Sequence, residues 1–320
     1  MTEEPVVLLE GPSSVGKSTL LKSLADAHNA EVIDLDDLAT RDAVLADPGL
    51  FMAGTPPVCV DEHQKAPLVL DAIKAQLNKS TRPGRFLLAG STRHCALPQT
   101  AQSLTGRLNR ITIYPLAQAE IEGHTSSLVA TLFSSPATAI QAPTPKTTRD
   151  EYIQRIAHGG LPMALERDAR ELSNIRQSAM LPRLLGRLTS QTAQVLNIAS
   201  AAADITLDER IAATPKLHII DSGVAARLLR LTPEKLARRD ATSLTEFGHL
   251  LETFVVGELQ REASWMDGIA GIGHWRTHDH DEVDLVIERD DGAIIAFEVK
   301  AGSRVPGESF SPLRKNCVTK

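Results

Sequence analysis

The run Val6-Val7-Leu8-Leu9-Glu10-Gly11-Pro12-Ser13-Ser14-Val15-Gly16-Lys17-Ser18 constrains this chain more than any other stretch. Its apolar start reads as a buried strand, and a Gly-rich turn then hands the chain to a helix from about Lys17 to His28. The turn matches G-x-x-x-x-G-K-[ST] in the strand–turn–helix context that gives the pattern its meaning. Glycines let the backbone curl so that successive N–H groups face a phosphate, and the helix N-terminus adds a favourable dipole. Lys17 is placed to reach the β- and γ-phosphates of ATP, and the Ser18 hydroxyl to ligate Mg²⁺. Gly11, Pro12, Ser13, Ser14, Val15, Gly16, Lys17, Ser18 and the adjoining Thr19 are therefore the candidate nucleotide-binding residues.

A strand feeding such a loop implies α/β architecture, a parallel sheet with helices on both faces. The chain supplies further apolar runs at Val32-Ile33, Val58-Cys59-Val60, Phe86-Leu87-Leu88-Ala89 and Ile111-Thr112-Ile113, with a helix at about 68–77. At about 100–200 residues per domain, 320 residues allow two domains or three small ones. Ser, Thr, Ala and Pro dominate from Ser126 to Thr148, which reads as a linker. The expected division is a P-loop domain over 1–122, a linker over 123–150, a mainly helical segment over 151–235 and a C-terminal domain over 236–320.

With 34 Lys and Arg against 40 Asp and Glu, the net charge of −6 excludes a wholly basic nucleic-acid binder but not a local basic groove. Cys59, Cys95 and Cys317 are scattered and form no disulfide framework. The first residues, Met1-Thr2-Glu3-Glu4-Pro5, lack a signal-peptide pattern, and no run approaches the ~20 apolar residues of a membrane span. These features lead to the expectation of a soluble, cytoplasmic protein.

Nucleotide binding alone does not separate a kinase from an ATPase. Asp34-Leu35-Asp36-Asp37 after the second strand is where a small-molecule kinase would carry an acid that activates a hydroxyl substrate. Val58-Cys59-Val60-Asp61-Glu62 points to hydrolysis instead: Asp61 belongs in the Mg²⁺ shell and Glu62 can polarise an attacking water. The competing explanation for the pair is an acidic cap on the helix that follows Pro67. Phe86–Ala89 leads to Gly90-Ser91-Thr92, where the Ser91 hydroxyl could sense the γ-phosphate. Arg107 reads equally well as a catalytic finger, acting within the chain or across a homo-oligomer interface, and as a surface arginine.

Val60-Asp61-Glu62-His63-Gln64-Lys65-Ala66-Pro67, Pro83–Ser91, Gly106-Arg107 and Tyr114-Pro115-Leu116 resemble a family of prokaryotic AAA-type P-loop ATPases with a C-terminal domain of unknown function. Gly159-Gly160-Leu161-Pro162, Pro215-Lys216 and Asp221-Ser222-Gly223 extend the resemblance over most of the chain. The resemblance implies an ATPase core with the hydrolytic strand beside the loop-bearing one, and supports the roles of Asp61 and Glu62.

Glu282–Glu288 and Ala293–Lys300 both alternate, and the Asp291-Gly292 between them is a hairpin signal. Period two sets Glu298 and Lys300 on one face, which Asp284 can approach from the paired strand. Acids holding Mg²⁺ beside a water-orienting lysine suit phosphodiester hydrolysis, with Asp284 and Glu298 as metal ligands. Gly248-His249-Leu250-Leu251-Glu252 opens an amphipathic helix whose Glu252 could complete the set. The arrangement is similar to PD-(D/E)xK nucleases, which implies DNA as a partner. The alternative is an amphipathic hairpin whose Glu298 pairs with Lys300.

Compared with the family pattern, the segment between Asn197 and Pro215 and the tail after Lys300 are short, giving the expectation of a reduced winged-helix region and an incomplete nuclease-like domain. His274, His278 and His280 read as a polar loop, and Arg183 with Arg187 as a solvated stripe. The functional expectation is an Mg²⁺-dependent ATPase with a nuclease-like or DNA-associated second part. The alternative is an ATP-dependent switch whose C-terminal domain only recruits a partner.

Overall fold

A computed structural model describes residues 4–91, 104, 106–141, 147–161, 189, 192–195, 216–276 and 282–302. It divides into two compact units, 1–114 and 115–320.

The first unit is a five-stranded parallel sheet built from β1 (Val6–Gly11), β2 (Val32–Asp34), β3 (Val58–Asp61), β4 (Phe86–Ser91) and β5 (Leu108–Thr112). Its strand order is β2-β3-β4-β1-β5. The strand carrying Asp61 is thus not beside the loop-bearing strand, contrary to the expectation from the resemblance. Phe86–Ser91 lies between them. Phe86, Leu87, Leu88 and Ala89 are all 0% exposed, as suits an interior strand covered on both faces. The fifth strand starts three residues earlier than the apolar run Ile111–Ile113 suggested.

Alternation divides the core. Val6, Leu8, Val58, Val60, Phe86 and Leu88 face one side, where α2 (Leu38–Ala46), α3 (Pro48–Met52) and α4 (Leu68–Lys79) supply Val44, Met52, Val69, Leu70, Ile73 and Leu77. Val7, Leu9, Cys59, Leu87 and Ala89 face the other, against Leu21 and Ala25 of α1 (Lys17–Ala27). Because successive strand residues point oppositely, each strand serves both cores, and helices cover both faces as the loop motif required.

The second unit is organised along one long helix. Short helices α5 (Gln118–Ile121), α6 (Leu128–Ser134) and α7 (Pro136–Gln141) precede α8 (Arg149–His158). Residues 128–141, expected as linker, are therefore largely helical. Strands β6 (Gln194–Val195) and β7 (Lys216–Leu217) pair antiparallel, followed by α9 (Ser222–Leu228), α10 (Pro233–Leu236) and α11 (Ala241–Ser264). Then β8 (Ile269–Arg276), β9 (Glu282–Arg289) and β10 (Ile294–Phe297) form an antiparallel sheet in the order β10-β9-β8.

The 24-residue α11 joins the two halves of this unit. Its Phe247, Leu250 and Phe254 pack on Ile153 and Ile156 of α8 and on Ala225 and Ala226 of α9. Further along, Val256, Leu259 and Ala263 pack on Leu285 and Ile287 of β9 and on Val129 of α6. The glycine motifs have a packing role: a Cβ on Gly160 would meet the Leu116 carbonyl oxygen at 2.2 Å, and one on Gly223 the His158 carbonyl oxygen at 2.5 Å. Asp221 locks this contact by accepting from Gly160 N–H at 2.6 Å and Val224 N–H at 2.9 Å.

Among the described residues, no helix is long and apolar enough to cross a membrane. Pro162, Arg183, Arg187, 197–215, the 303–320 tail, His278, His280, Cys95 and Cys317 lie outside the described residues.

Candidate functional site

The loop after β1 has the curl its glycines predict. Ser14 and Gly16 take left-handed φ values of 64° and 94°, which turn the backbone inward. Gly16 caps α1 without a side-chain hydrogen bond, so the helix N-terminus has no local anionic or hydroxyl cap. Gly11 is sterically required: a Cβ there would lie 2.2 Å from the Ile113 carbonyl oxygen. Val15 is buried beneath the loop, Pro12 is half-buried, and Ser13, Ser14, Gly16, Ser18 and Thr19 are exposed. Lys17 is drawn inside, 5% exposed, and its ammonium donates to the carbonyls of Gly11 at 3.1 Å and Pro12 at 2.6 Å. A buried ammonium must be solvated by something, and the loop's own carbonyls do so here.

The parallel strands all open at their C-terminal ends on the loop side. Gly11 is in register with Ser91 of β4, so Ser91 lies directly beside the loop. Its Oγ is shielded and has no hydrogen-bond partner among the described residues. One strand further, Asp61 ends β3 at 8% exposure, with Oδ1 accepting the Glu62 N–H at 2.9 Å. Glu62 takes a left-handed conformation, φ 51° and ψ 41°, uncommon for a non-glycine residue and typical of strained positions at functional sites.

The turn at His63–Lys65 shapes this edge. Gln64 Nε2 donates to Glu62 Oε2, and Gly90 leaves just enough room for the turn: a Cβ there would meet Gln64 Oε1 at 2.6 Å and His63 Cδ2 at 2.7 Å. His63 is 8% exposed, and burial pushes its imidazole down to about 4, so it is neutral near pH 7. His63 Nδ1 and Gln64 Oε1 join Ser91 Oγ as shielded polar atoms without partners among the described residues. Neither His63 nor Gln64 was singled out from the sequence as a site residue. Their signal was position, directly after the acid pair.

The competing reading of Asp61 and Glu62 as a helix cap loses its structural basis. The helix after Pro67 carries no side-chain cap from Asp61 or Glu62, because the turn intervenes. The acids after β2 hold the backbone and a neighbour: Asp34 accepts from Asp36 N–H at 2.8 Å, Asp37 caps α2 through Thr40 N–H at 2.7 Å, and Asp36 pairs with Lys65. Arg107 is not brought to this edge. It precedes β5 at the opposite end of the sheet, where its carbonyl accepts from Val6 N–H at 3.2 Å and its guanidinium donates to Asn78 at 3.2 Å. Val6 to Gly11 spans five strand steps, about 16 Å, so a finger role within one chain does not fit.

In the second unit the structure gathers Glu252 and Asp284, but around a residue not counted among the candidates. Lys216 Nζ lies 2.5 Å from Glu252, 2.6 Å from Glu282 and 2.7 Å from Asp284, with its side chain 3% exposed. Burial acts to lower its pKa, but the hydrogen bonds to Asp284, Glu252 and Glu282 outweigh it and hold the ammonium above the usual lysine value. Burial raises Glu252 to about 7, and burial followed by the charge of Lys216 lowers His218 to about 4.

Asp284 does approach the end of β10, as expected, though through the backbone: its second oxygen accepts from Val299 N–H at 2.8 Å. The strand ends at Phe297, and Glu298 pairs with Lys300. Both Asp284 oxygens have partners, whereas Glu298 pairs with Lys300 through Oε1 and leaves its shielded Oε2 without a partner among the described residues. Among the described residues, no group of three or more His, Cys, Asp or Glu could hold a metal ion.

Residues 3–122 match the family described as an AAA domain, and residues 247–320 match a domain of unknown function, DUF4143. The chain joins an AAA domain to a DUF4143 domain. Uncharacterized proteins Rv2008c of Mycobacterium tuberculosis and Mb2031c of Mycobacterium bovis are each 26% identical over 332 residues, covering 93% of this chain and 71% of theirs. Among solved structures, AMPPCP-bound DnaA from Aquifex aeolicus aligns with 77% of this chain and 76% of its own, at 12% identity and a TM-score of 0.30. A RuvB mutant from Thermotoga maritima aligns with 76% of this chain and 80% of its own, at 16% identity and a TM-score of 0.28. The AAA assignment supports ATP binding by the first unit.

Proposed function

We propose that this AAA–DUF4143 chain is an Mg²⁺-dependent ATP hydrolase. The observation that carries this reading is the convergence, at one edge of one sheet, of the phosphate loop, the unpartnered Ser91 hydroxyl and the Asp61–Glu62 pair. Backbone N–H groups of the loop and the start of α1 receive the phosphates, and Lys17 exchanges its two carbonyl partners for phosphate oxygens. The Ser18 hydroxyl and an Asp61 oxygen are a hard donor set that suits Mg²⁺, which when bound would neutralise charge on the phosphates.

Glu62 accepts the proton of the water that attacks the γ-phosphorus, while Ser91 donates to that water or to a γ-phosphate oxygen. Neutral His63 walls the site without adding charge. In this reading Lys17, Ser18, Asp61, Glu62 and Ser91 carry the roles expected of their residue types. Arg107 can act only on a second copy of the chain, which makes homo-oligomerisation part of the proposal.

The Gln64–Glu62 hydrogen bond favours a second reading, in which nucleotide binding switches the protein and turnover is absent. Phosphate release from ATP by the full chain, with and without Mg²⁺, separates the two. Release that needs Mg²⁺ and vanishes in Lys17→Ala supports hydrolysis, whereas tight binding without release supports the switch. DNA contact through the second unit belongs to the proposal without cleavage chemistry. Binding that weakens with salt would support it, and no binding at low salt would remove it.

A further inference from the structure

The acidic cluster of the second unit already contains a cation. Glu282 and Asp284 are two residues apart on β9 and so share a strand face. Glu252 reaches the same point from α11, and Lys216 from β7. The Lys216 ammonium donates a hydrogen bond to Asp284 Oδ1 at 2.7 Å and forms ion pairs with Glu252 at 2.5 Å and Glu282 at 2.6 Å. A divalent ion would need the same oxygens at about 2.0–2.6 Å from one centre. Lys216 Nζ and such an ion therefore compete for a single position.

Asp284 has no oxygen to spare for a second cation. Asp284 Oδ2 accepts from Val299 N–H at 2.8 Å, and Glu298 pairs with Lys300. The neighbouring His218, whose imidazole is held neutral near pH 7 by burial, bonds to Thr253 at 3.3 Å, and the other cation acting on Asp284 and Glu252, Lys300, is engaged by Glu298.

We propose that Lys216 is the resident cation of this cluster: its tethered ammonium does the work a divalent metal would otherwise do between Glu252, Glu282 and Asp284. It cross-links β7 to α11 and β9, and it makes assembly of the second unit independent of metal. While Lys216 is in place, metal-assisted hydrolysis at Asp284 is blocked. The inference stands apart from the ATPase reading, since every residue in it belongs to the second unit.

The test is thermal unfolding of the nucleotide-free full chain in EDTA and in Mn²⁺, with bound Mn²⁺ followed by electron paramagnetic resonance. The wild type should melt identically in both and bind no Mn²⁺. Lys216→Met keeps the side-chain length but removes the charge that lies nearest to the three carboxylates, of which Glu252 and Asp284 are shielded. Its Tm in EDTA should fall by about 10 °C, recover at least partly in Mn²⁺, and the variant should bind Mn²⁺. Adding Asp284→Asn should abolish that recovery, assigning it to this cluster.

Lys216→Arg, which keeps the charge, should stay metal-independent. If Lys216→Met does not fold in EDTA, refolding from denaturant in Mn²⁺ reads the same property. Recovery with Mn²⁺ alone supports the proposal, and failure in both buffers overturns it. Stoichiometric Mn²⁺ binding by the nucleotide-free wild type, or an undiminished Tm for Lys216→Met in EDTA, would also overturn it.

Discussion

Gly11 and Ser91 face each other across adjacent parallel strands, so the residue that opens the phosphate loop lies beside a hydroxyl with no hydrogen-bond partner among the described residues. A shielded donor left without a partner costs about 1–3 kcal/mol. A γ-phosphate or its attacking water would satisfy it. Ser91→Ala should therefore leave ATP affinity within about twofold and lower turnover roughly tenfold, measured by equilibrium binding and phosphate release on the same preparation. An equal loss of affinity and turnover would place Ser91 outside the reacting centre.

Gly11→Ala should be far more damaging than its size suggests. The added methyl would stand 2.2 Å from the Ile113 carbonyl oxygen, a main-chain atom of the neighbouring segment that cannot rotate away. We expect a loss of about 1–3 kcal/mol in chemical denaturation together with loss of nucleotide binding. Gly16→Ala meets no neighbour, so its cost should come only from the left-handed φ of 94°.

His63 makes stability pH-dependent. Its folded pKa of about 4 lies below the ordinary value of 6.5, so the unfolded chain binds more protons between those pH values. Stability should fall as pH drops from about 6.5 towards 4, by about 3 kcal/mol at the low end. Denaturation midpoints of wild type and His63→Gln across that window check this, and the variant should show a flatter profile. Parallel profiles would mean that His63 is not the titrating group.

Much of the first unit was legible because its signals are local. The loop, the apolar run of β3 and the stripe Val69, Leu70, Ile73 and Leu77 each depend on neighbours in sequence. Strand order does not, and the central place of Phe86–Ser91 appears only in its pairing with both β1 and β3. Lys216 was invisible as a site residue for the same reason: Asp284 lies 68 positions away. The helices over Leu128–Gln141 escaped notice because their support is distant. Glu262 accepts from Val129 N–H at 2.7 Å and from the Ser126 hydroxyl, where no side-chain cap comes from Ser127.

Arg107 lies at the far end of the sheet from the loop, so the ATPase proposal assigns it a role only across an interface between copies of the chain. Specific activity of the wild type should then rise with protein concentration, and Arg107→Ala should remove that rise without changing ATP affinity. Activity independent of concentration in both proteins, with no assembly by light scattering, would make Arg107 a surface residue bonded to Asn78.

The most direct measurement is the identity of the nucleotide that stays with the protein. Wild type and Glu62→Gln are each incubated with ATP and Mg²⁺, freed of unbound nucleotide by rapid gel filtration, and their bound nucleotide is resolved by chromatography. Wild type should carry ADP, and Glu62→Gln, whose amide cannot accept the proton of water, should carry intact ATP at full occupancy. Bound ADP in Glu62→Gln at the wild-type rate would contradict the assignment of Glu62, and intact ATP in both would show that the AAA domain binds nucleotide without hydrolysing it.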